Sequence, residues 1–141
     1  MAEVSPKFKR LCDRFARILG GEHEIDEGPV CLVSRPRRFP ATILGRRTTS
    51  PLTKYQFFSF ESLDRSGKAL CLGETVVFQN EINRLLSNLR KEGIIVTAVH
   101  NHWLFDNPRL MFMHWETIEN PIVFARKMNR ALRFLKDREN R

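Results

Sequence analysis

Apolar side chains recur at helical spacing near the start of the chain. After Ser5-Pro6, one stripe is formed by Phe8, Leu11, Cys12, Phe15, Ile18 and Leu19, and Gly20-Gly21 follows it. Serine followed by proline is typical of a helix N-cap and first helical position, and glycine commonly ends a helix. The pattern therefore predicts an amphipathic helix that ends at the glycine pair.

The next part of the chain favours β-strands separated by turns. Residues 30–33 and 41–44 are short apolar runs around Arg35-Pro-Arg-Arg38, which predicts a hairpin. Residues 48–52 have loop composition, and residues 55–60 are an aromatic-rich strand. After a turn at Ser66-Gly67, residues 69–78 form an apolar segment in which Gly73-Glu74 predicts a bulge or bend.

The second half of the chain alternates helical and strand patterns. A stripe of Ile82, Leu85, Leu86 and Leu89 predicts a helix that ends near Gly93. Residues 94–103 and 109–115 have strong β composition and predict a hairpin. A last helix is expected to begin at Asn120-Pro121 and to continue to Leu135.

This order predicts an α+β fold. Several strand runs and only three clear helices favour an antiparallel sheet covered by helices on one face. The C-terminal half has the order β-α-β-β-α, which is similar to a ferredoxin-like unit if an upstream strand completes the sheet. Neither a repeat nor a linker divides the 141 residues, so we expect one domain over residues 1–141.

Composition indicates a soluble globular protein, with 42% hydrophobic and 28% charged residues. No apolar run approaches the roughly 20 residues that span a bilayer, and the first residues lack a secretory pattern, so we expect a cytoplasmic protein without membrane contact. The three cysteines, Cys12, Cys31 and Cys71, are widely spaced, and we expect them to be reduced and mostly buried.

The net charge of +8 supports a nucleic-acid-binding hypothesis. The basic residues occur in three segments, namely Lys7, Lys9, Arg10, Arg14 and Arg17; Arg35, Arg37, Arg38, Arg46 and Arg47; and Arg126, Lys127, Arg130, Arg133, Lys136, Arg138 and Arg141. Basic faces of amphipathic helices are usually only solvated, so the charge also fits a role in solubility. A nucleic-acid-binding domain would need the three segments on one surface.

The strongest chemical feature is a group of three histidines in one aromatic-rich stretch. His100 and His102 are two residues apart, and His114 follows in the other half of the predicted hairpin. Side chains two apart on a strand share a face, and three convergent imidazoles suit a divalent metal such as zinc. Histidines on half-buried strands are also often ordinary hydrogen-bonded packing residues, so the sequence keeps both interpretations.

The register of the hairpin decides whether the three imidazoles converge. Opposed residues on antiparallel strands point to the same side, so an even sum of paired residue numbers places all three on one face. A two-residue turn at Asp106-Asn107 gives an odd sum, and a loop of three or five residues gives an even one. On regular strands Trp103 and Trp115 would point away from the neighbouring histidines and pack on the opposite face.

Three strings of the sequence resemble the LppY/LpqO family, a bacterial domain of unknown function that includes mycobacterial lipoproteins. These strings are Gly73-Glu-Thr-Val-Val-Phe-Gln-Asn-Glu-Ile-Asn83, Leu89-Arg-Lys-Glu-Gly-Ile-Ile-Val-Thr-Ala-Val-His-Asn-His102 and Pro108-Arg-Leu-Met-Phe-Met-His114. The resemblance nominates Glu74, Glu81, Asn83, His100, Asn101, His102, Arg109 and His114 as site residues. It implies no established activity.

Each nominated residue has a functional and a structural interpretation. Glu81, or else Glu74, is a candidate general base or fourth ligand, although Glu81 in the first turn of a helix also complements the helix dipole. Asn83 and Asn101 are candidate ligand-binding residues that could equally satisfy backbone groups. Arg109 at the hairpin tip is either solvated or clamps an anionic ligand.

Three functions follow as hypotheses. The first is a divalent-metal-binding protein or metal-dependent hydrolase, with Zn²⁺ or a similar ion on His100, His102 and His114. The second is a domain that binds a small molecule or a partner without catalysis. The third is a basic nucleic-acid-binding protein, and formation of a homodimer is a further expectation because exposed aromatic residues commonly mark interfaces.

Overall fold

The computed structural model describes residues 3–137 and has an α+β fold. The helices are α1 (Pro6–Leu19), α2 (Pro51–Lys54), α3 (Ile82–Lys91) and α4 (Pro121–Leu132). The strands are β1 (Glu22–Asp26), β2 (Val30–Pro36), β3 (Thr42–Ile43), β4 (Arg46–Arg47), β5 (Tyr55–Glu61), β6 (Ala69–Phe78), β7 (Ile95–His100), β8 (Asp106–Asn107) and β9 (Leu110–Glu119). Arg138 and Arg141 of the third basic segment lie outside the described residues.

The main sheet has six strands in the order β1-β2-β5-β6-β9-β7, and all neighbours are antiparallel. Because β9 lies antiparallel between β6 and β7, those two strands are parallel and α3 connects them as a split β-α-β unit. Strand β5 lies on the other side of β6. The predicted C-terminal β-α-β-β-α unit is therefore confirmed, and an upstream strand extends its sheet.

Helices α1, α3 and α4 cover one face of this sheet, as the sequence predicted. Their apolar stripes meet the inward residues of the strands in one core, in which Phe15, Leu85, Leu89, Phe124 and Met128 are fully buried. The predicted caps are present: the Ser5 hydroxyl accepts a hydrogen bond from the Phe8 N–H, and the Asn120 side chain accepts from the N–H groups of Ile122 and Val123. We call the uncovered side, which carries Phe57, Glu74 and His114, the open face.

The hairpin predicted between residues 30–33 and 41–44 is wrong. Strand β2 pairs with β1 and β5, whereas residues 42–43 form the short β3 of a separate three-stranded sheet with β4 and β8. The real partner, β1, is the polar sequence Glu22–Asp26 at the edge of the sheet, mostly exposed, so it lacks the apolar alternation by which strands are predicted.

The bulge expected at Gly73-Glu74 is also absent, because β6 and β9 pair without a shift from Ala69 to Phe78. Gly73 has a packing role instead. It lies opposite Trp115, and a Cβ atom at this position would meet Nε1 of the indole. The pairing of β7 with β9 is where the register shifts, between Val96 and Ala98.

The prediction of three reduced cysteines is wrong for two of them. Cys12 on α1 lies over Cys31 on β2 with a Cα–Cα distance of 5.6 Å, and the two form a disulfide. Their proximity depends on how α1 packs on the sheet, which their spacing in the sequence does not reveal. Cys71 is a buried thiol, as expected, and its burial raises its pKa to about 12.

Among residues 3–137, none of the helices has the length and apolar character needed to cross a membrane.

Candidate metal centre

The three histidines converge on the open face of the sheet. His100 ends β7, His114 lies in the middle of β9, and His102 follows β7 in the connection to β8. Ala98 pairs with His114 and His100 pairs with Phe112, so the paired numbers have an even sum. This register places His100 and His114 on the same side, as the metal hypothesis required. The connection is longer than any of the loops considered from the sequence, because it contains β8.

The imidazole rings lie close to one another. Ring centroids are 5.0 Å apart for His100 and His102, 4.9 Å for His100 and His114, and 5.6 Å for His102 and His114. One nitrogen from each ring can be chosen so that all three nitrogens lie within 4.8 Å of one another. Tetrahedral zinc needs nitrogens about 3.3 Å apart, given Zn–N bonds of about 2.0–2.1 Å. Side-chain rotation of His100 and His102 would therefore be needed to bring the three nitrogens to this distance.

His114 has a carboxylate near one ring nitrogen and an unsatisfied nitrogen on the other side of the ring. Its Nδ1 lies 3.8 Å from Oε2 of Glu74, the residue directly opposite on β6. Its Nε2 is buried and has no hydrogen-bond partner among the described residues. A metal-ligating histidine usually donates its other N–H to a carboxylate, and Glu74 is a carboxylate beside His114 that lies beyond hydrogen-bond distance in this arrangement.

The other two rings are also oriented by neighbours. Nδ1 of His100 lies 3.1 Å from the carbonyl oxygen of Asn101, which can only accept, so this hydrogen bond requires a proton on Nδ1, and in the neutral ring Nε2 is then the acceptor. The ring of His102 stacks on Phe112, with centroids 3.7 Å apart and planes 7° from parallel. Both histidines therefore have restricted orientations before any ligand binds.

The pKa values of two of the histidines favour the neutral form that a metal requires. Desolvation lowers the pKa of His102, and the nearby His100 and His114 lower it further. Desolvation also lowers the pKa of His114, partly opposed by Glu74 and reinforced by His100. Neutral imidazoles bind divalent metals without first losing a proton.

Glu81 does not belong to this centre, which corrects its assignment as a base or ligand. Its two oxygens accept hydrogen bonds from the guanidinium of Arg37 at 3.0 and 3.1 Å, and Oε1 also accepts from the N–H of Phe78 at 2.7 Å. The side chains of Arg37 and Glu81 are only 3% and 8% exposed. Glu81 is thus half of a buried ion pair, and Glu74 is the nominated carboxylate that lies beside a histidine.

The remaining nominated residues are distributed around the molecule. Asn83 is exposed on α3, and Asn101 donates from its side-chain amide to the carbonyl of Trp103 at 3.0 Å. Arg109 lies 3.5 Å from Oδ1 of Asp106 and lines a different groove that includes Arg47. Asn101 is therefore adjacent to the histidines and supports their loop, whereas Asn83 and Arg109 are not grouped with them.

The two tryptophans differ in their placement. Trp115 is buried on the helix side, where its Nε1 contacts Sδ of Met128, so the prediction that it points away from His114 is confirmed. Trp103 was predicted to pack on that face too, and this is wrong. Strand β7 ends at His100, so strand alternation no longer applies, and Trp103 lies beside His102 with ring centroids 6.4 Å apart.

The sequence did not identify Tyr55 and Phe57 as neighbours of the histidines. Tyr55, Phe57, Trp103 and Phe112 line a groove together with His102 and Glu74. The alternation of Tyr55 and Phe57 with the buried residues of β5 was a usable signal, because it places both aromatic rings on the open face.

Two arginines of the second basic segment make hydrogen bonds within the fold. Arg35 donates to the side chain of Gln56 and to the carbonyl of Leu19, and Arg37 is held by Glu81. These two arginines therefore serve the fold, and the basic surface is smaller than the composition suggests.

A family model described as Domain of Unknown Function (DUF1259) matches residues 13–134 of the chain. The match includes all three histidines and Glu74. No curated protein and no solved structure matches the chain.

Proposed function

The chain belongs to the DUF1259 family of domains of unknown function, and we propose that it is a divalent-metal-binding protein that uses His100, His102 and His114 as ligands. The observation that carries this proposal is the set of three ring nitrogens within 4.8 Å of one another. The buried Nε2 of His114, which has no partner among residues 3–137, supports it because a buried polar atom is costly when left unsatisfied.

The ligand set favours zinc or a similar borderline ion. Imidazole suits zinc, copper, nickel and iron, whereas magnesium and calcium prefer oxygen ligands. Three protein ligands leave the fourth tetrahedral position open, as in catalytic rather than structural zinc sites. Glu74 faces Nδ1 of His114 and would act as a positioning residue for a metal bound at Nε2.

A metal-dependent hydrolase is the enzymatic form of this proposal. Zinc held by His100, His102 and His114 would supply Lewis-acid chemistry that activates a water for attack on a carbonyl carbon at neutral pH. In such a reaction the water oxygen would bond to that carbon, the bond to the leaving group would break, and a base would pass the proton of the water to the leaving group. Glu74 is the nominated carboxylate that is close enough to the histidines to act as that base.

Zinc titration of the purified protein tests the metal site. The metal-free protein, prepared with a chelator and then dialysed, is expected to bind one zinc ion per chain. His102→Ala and His114→Ala should weaken binding by at least about tenfold. His23→Ala is the matched control, because His23 lies outside the cluster and is paired with Asp13 at 2.7 Å. Absence of zinc binding, or an equal loss in the control, would overturn the proposal.

Ester hydrolysis tests the enzymatic form separately. The zinc-loaded protein should hydrolyse a 4-nitrophenyl ester faster than the metal-free protein. At saturating zinc, Glu74→Gln lowers kcat if Glu74 is the base and leaves kcat unchanged if it only positions His114. A zinc-loaded protein without hydrolytic activity would retain the metal-binding function and exclude this class of reaction.

The other predictions from the sequence remain proposals with their own tests. Sequence comparison tests kinship with the LppY/LpqO lipoproteins, and sedimentation tests formation of a homodimer. A binding assay at about 150 mM salt tests binding of nucleic acid. A cytoplasmic location also remains a proposal, and the Cys12–Cys31 disulfide argues against it because disulfides persist mainly in oxidising compartments.

A further inference from the structure

An aromatic groove of about 540 Å³ opens beside the three histidines. Strand β5, helix α2 and the connection after β7 supply most of its walls. Its lining consists of Pro51, Leu52, Tyr55, Phe57, Glu74, Asn101, His102, Trp103 and Phe112. His102 and Glu74 therefore belong both to the groove and to the surroundings of the candidate metal centre.

The register of the sheet places this groove next to the histidines. Phe57 pairs with Glu74, and Glu74 pairs with His114, so the three side chains form a row across the open face. Tyr55 lies two residues before Phe57 on the same face, and their rings stack with centroids 6.0 Å apart. A molecule on this aromatic row would have one end beside the imidazoles.

Trp103 forms the opposite wall and is held in place by two hydrogen bonds. Its Nε1 donates to the carbonyl of Leu52 at 3.2 Å, and its own carbonyl accepts from Asn101 at 3.0 Å. Trp103 is partly exposed although it packs on a small buried cluster that includes Phe112. An indole fixed in this way presents apolar surface with little loss of side-chain freedom when a ligand binds.

The chemistry of the lining selects the class of ligand. Six of its nine residues are apolar or aromatic, and one N–H of the Asn101 amide already donates to the carbonyl of Trp103. A flat apolar ring would contact aromatic side chains on several sides. The carboxylate of Glu74 would repel an anionic head group unless a cation lies between them.

We propose that the groove binds the aromatic part of a substrate whose oxygen-bearing head group, a carboxylate or an acyl group, ligates the metal held by His100, His102 and His114. This inference rests on the proposed metal function and specifies its substrate class. Aromatic acids and their esters or amides fit both halves of the site. The aromatic half contributes affinity by burial, and the head group binds only when the metal is present.

Two hydroxamates test this inference. They have the same chelating head group and differ only in the substituent attached to it, which is a phenyl ring in one and a methyl group in the other. Benzohydroxamate is expected to bind the zinc-loaded protein at least about tenfold more tightly than acetohydroxamate, as measured by calorimetry. Trp103→Ala should reduce that ratio severalfold while its zinc affinity stays at the wild-type value. Leu104→Ala is the matched control, because Leu104 is 62% exposed and does not line the groove.

The outcomes separate this inference from the function on which it rests. Zinc binding with equal affinities for the two hydroxamates would overturn the aromatic groove and retain the metal site. An affinity ratio that Trp103→Ala leaves unchanged would overturn it as well. A protein that binds no zinc at all would overturn the proposed function and this inference together.

Discussion

Glu74 and His114 face each other directly across β6 and β9, with Oε2 of the carboxylate 3.8 Å from Nδ1 of the imidazole. This contact would fix the orientation of a ligand whose other nitrogen binds the metal. Glu74→Gln is therefore expected to lower zinc affinity about tenfold to a hundredfold, measured by competition with a chromophoric chelator. Glu116→Gln removes a nearby exposed carboxylate and should have a much smaller effect. Equal effects of the two variants would show that general electrostatics, and not orientation, is responsible.

The buried pair of Arg37 and Glu81 should matter for stability and not for zinc. Removing one partner leaves a charge without compensation, so Glu81→Gln or Arg37→Met should lower the free energy of unfolding by about 3–5 kcal/mol. Chemical denaturation measures this loss, and zinc affinity of the folded variant should stay unchanged. The double variant should recover part of the stability, because it leaves no unpaired buried charge. A selective loss of zinc affinity in Glu81→Gln would return Glu81 to the metal centre.

Gly73 should tolerate no side chain while Trp115 lies over it. An ideal Cβ at position 73 would lie within van der Waals overlap of three atoms of the indole ring. Gly73→Ala is therefore expected to destabilise the protein by about 1–3 kcal/mol and to change the fluorescence of Trp115. Phenylalanine has a smaller ring than tryptophan, so Trp115→Phe should lower the free energy of unfolding less in the Gly73→Ala background than in the wild type. Additive losses in a double-mutant cycle would refute this contact.

Thiol counting tests the cysteine assignment. Without reductant, the native protein should react slowly with a thiol reagent at pH near 8, because the one thiol, Cys71, is buried and its pKa is raised to about 12. Denaturation should expose one thiol, and reduction followed by denaturation should expose three, since Cys12 and Cys31 are joined. Cys71→Ala should abolish the single reactive thiol of the denatured, unreduced protein. Three reactive thiols before reduction would contradict the disulfide.

The stability of the metal-free protein should fall on mild acidification. The pKa values of His102 and His114 are lowered in the folded state, mainly by desolvation. In the unfolded chain both histidines have the ordinary pKa of about 6.5, so at mildly acidic pH the unfolded chain binds more protons than the folded protein. The free energy of unfolding is then highest above about pH 7.5 and decreases as the pH falls through about 6.5 toward the folded-state values. Chemical denaturation of the metal-free protein, with a chelator present, at pH 7.5 and 5.5 measures this loss of stability. His102→Gln should make the difference between the two pH values smaller. A stability that rises on acidification would show the opposite shift.

The sequence was informative where the determining interactions are local. The caps Ser5 and Asn120 and the apolar stripes behind them predicted α1, α3 and α4, and strand alternation predicted that Trp115 and His114 point apart. These features depend on neighbours within a few positions. The three histidines were identified because they lie close together in the chain. Their convergence depends on how β7 pairs with β9, and the sequence did not determine that register.

The features that the sequence did not reveal depend on contacts between distant segments. Arg37 and Glu81 are 44 residues apart, and each alone has the pattern of an exposed charge. Cys12 and Cys31 meet only because α1 packs over β2. Trp103 turns toward the histidines because β7 ends at His100, three residues before its β-favouring composition ends.

The register shift between Val96 and Ala98 accommodates one extra residue in β7, so the two ends of this strand follow different pairings with β9. If the pairing of Ile95 with Glu116 and of Val96 with Trp115 continued without the shift, His100 would oppose Met111 in place of Phe112 and its ring would turn toward the helices. A chain with the same three histidines but a regular β7 would therefore bring only part of the ligand set to the open face. The irregularity in the strand is thus as much a part of the candidate centre as the imidazoles themselves.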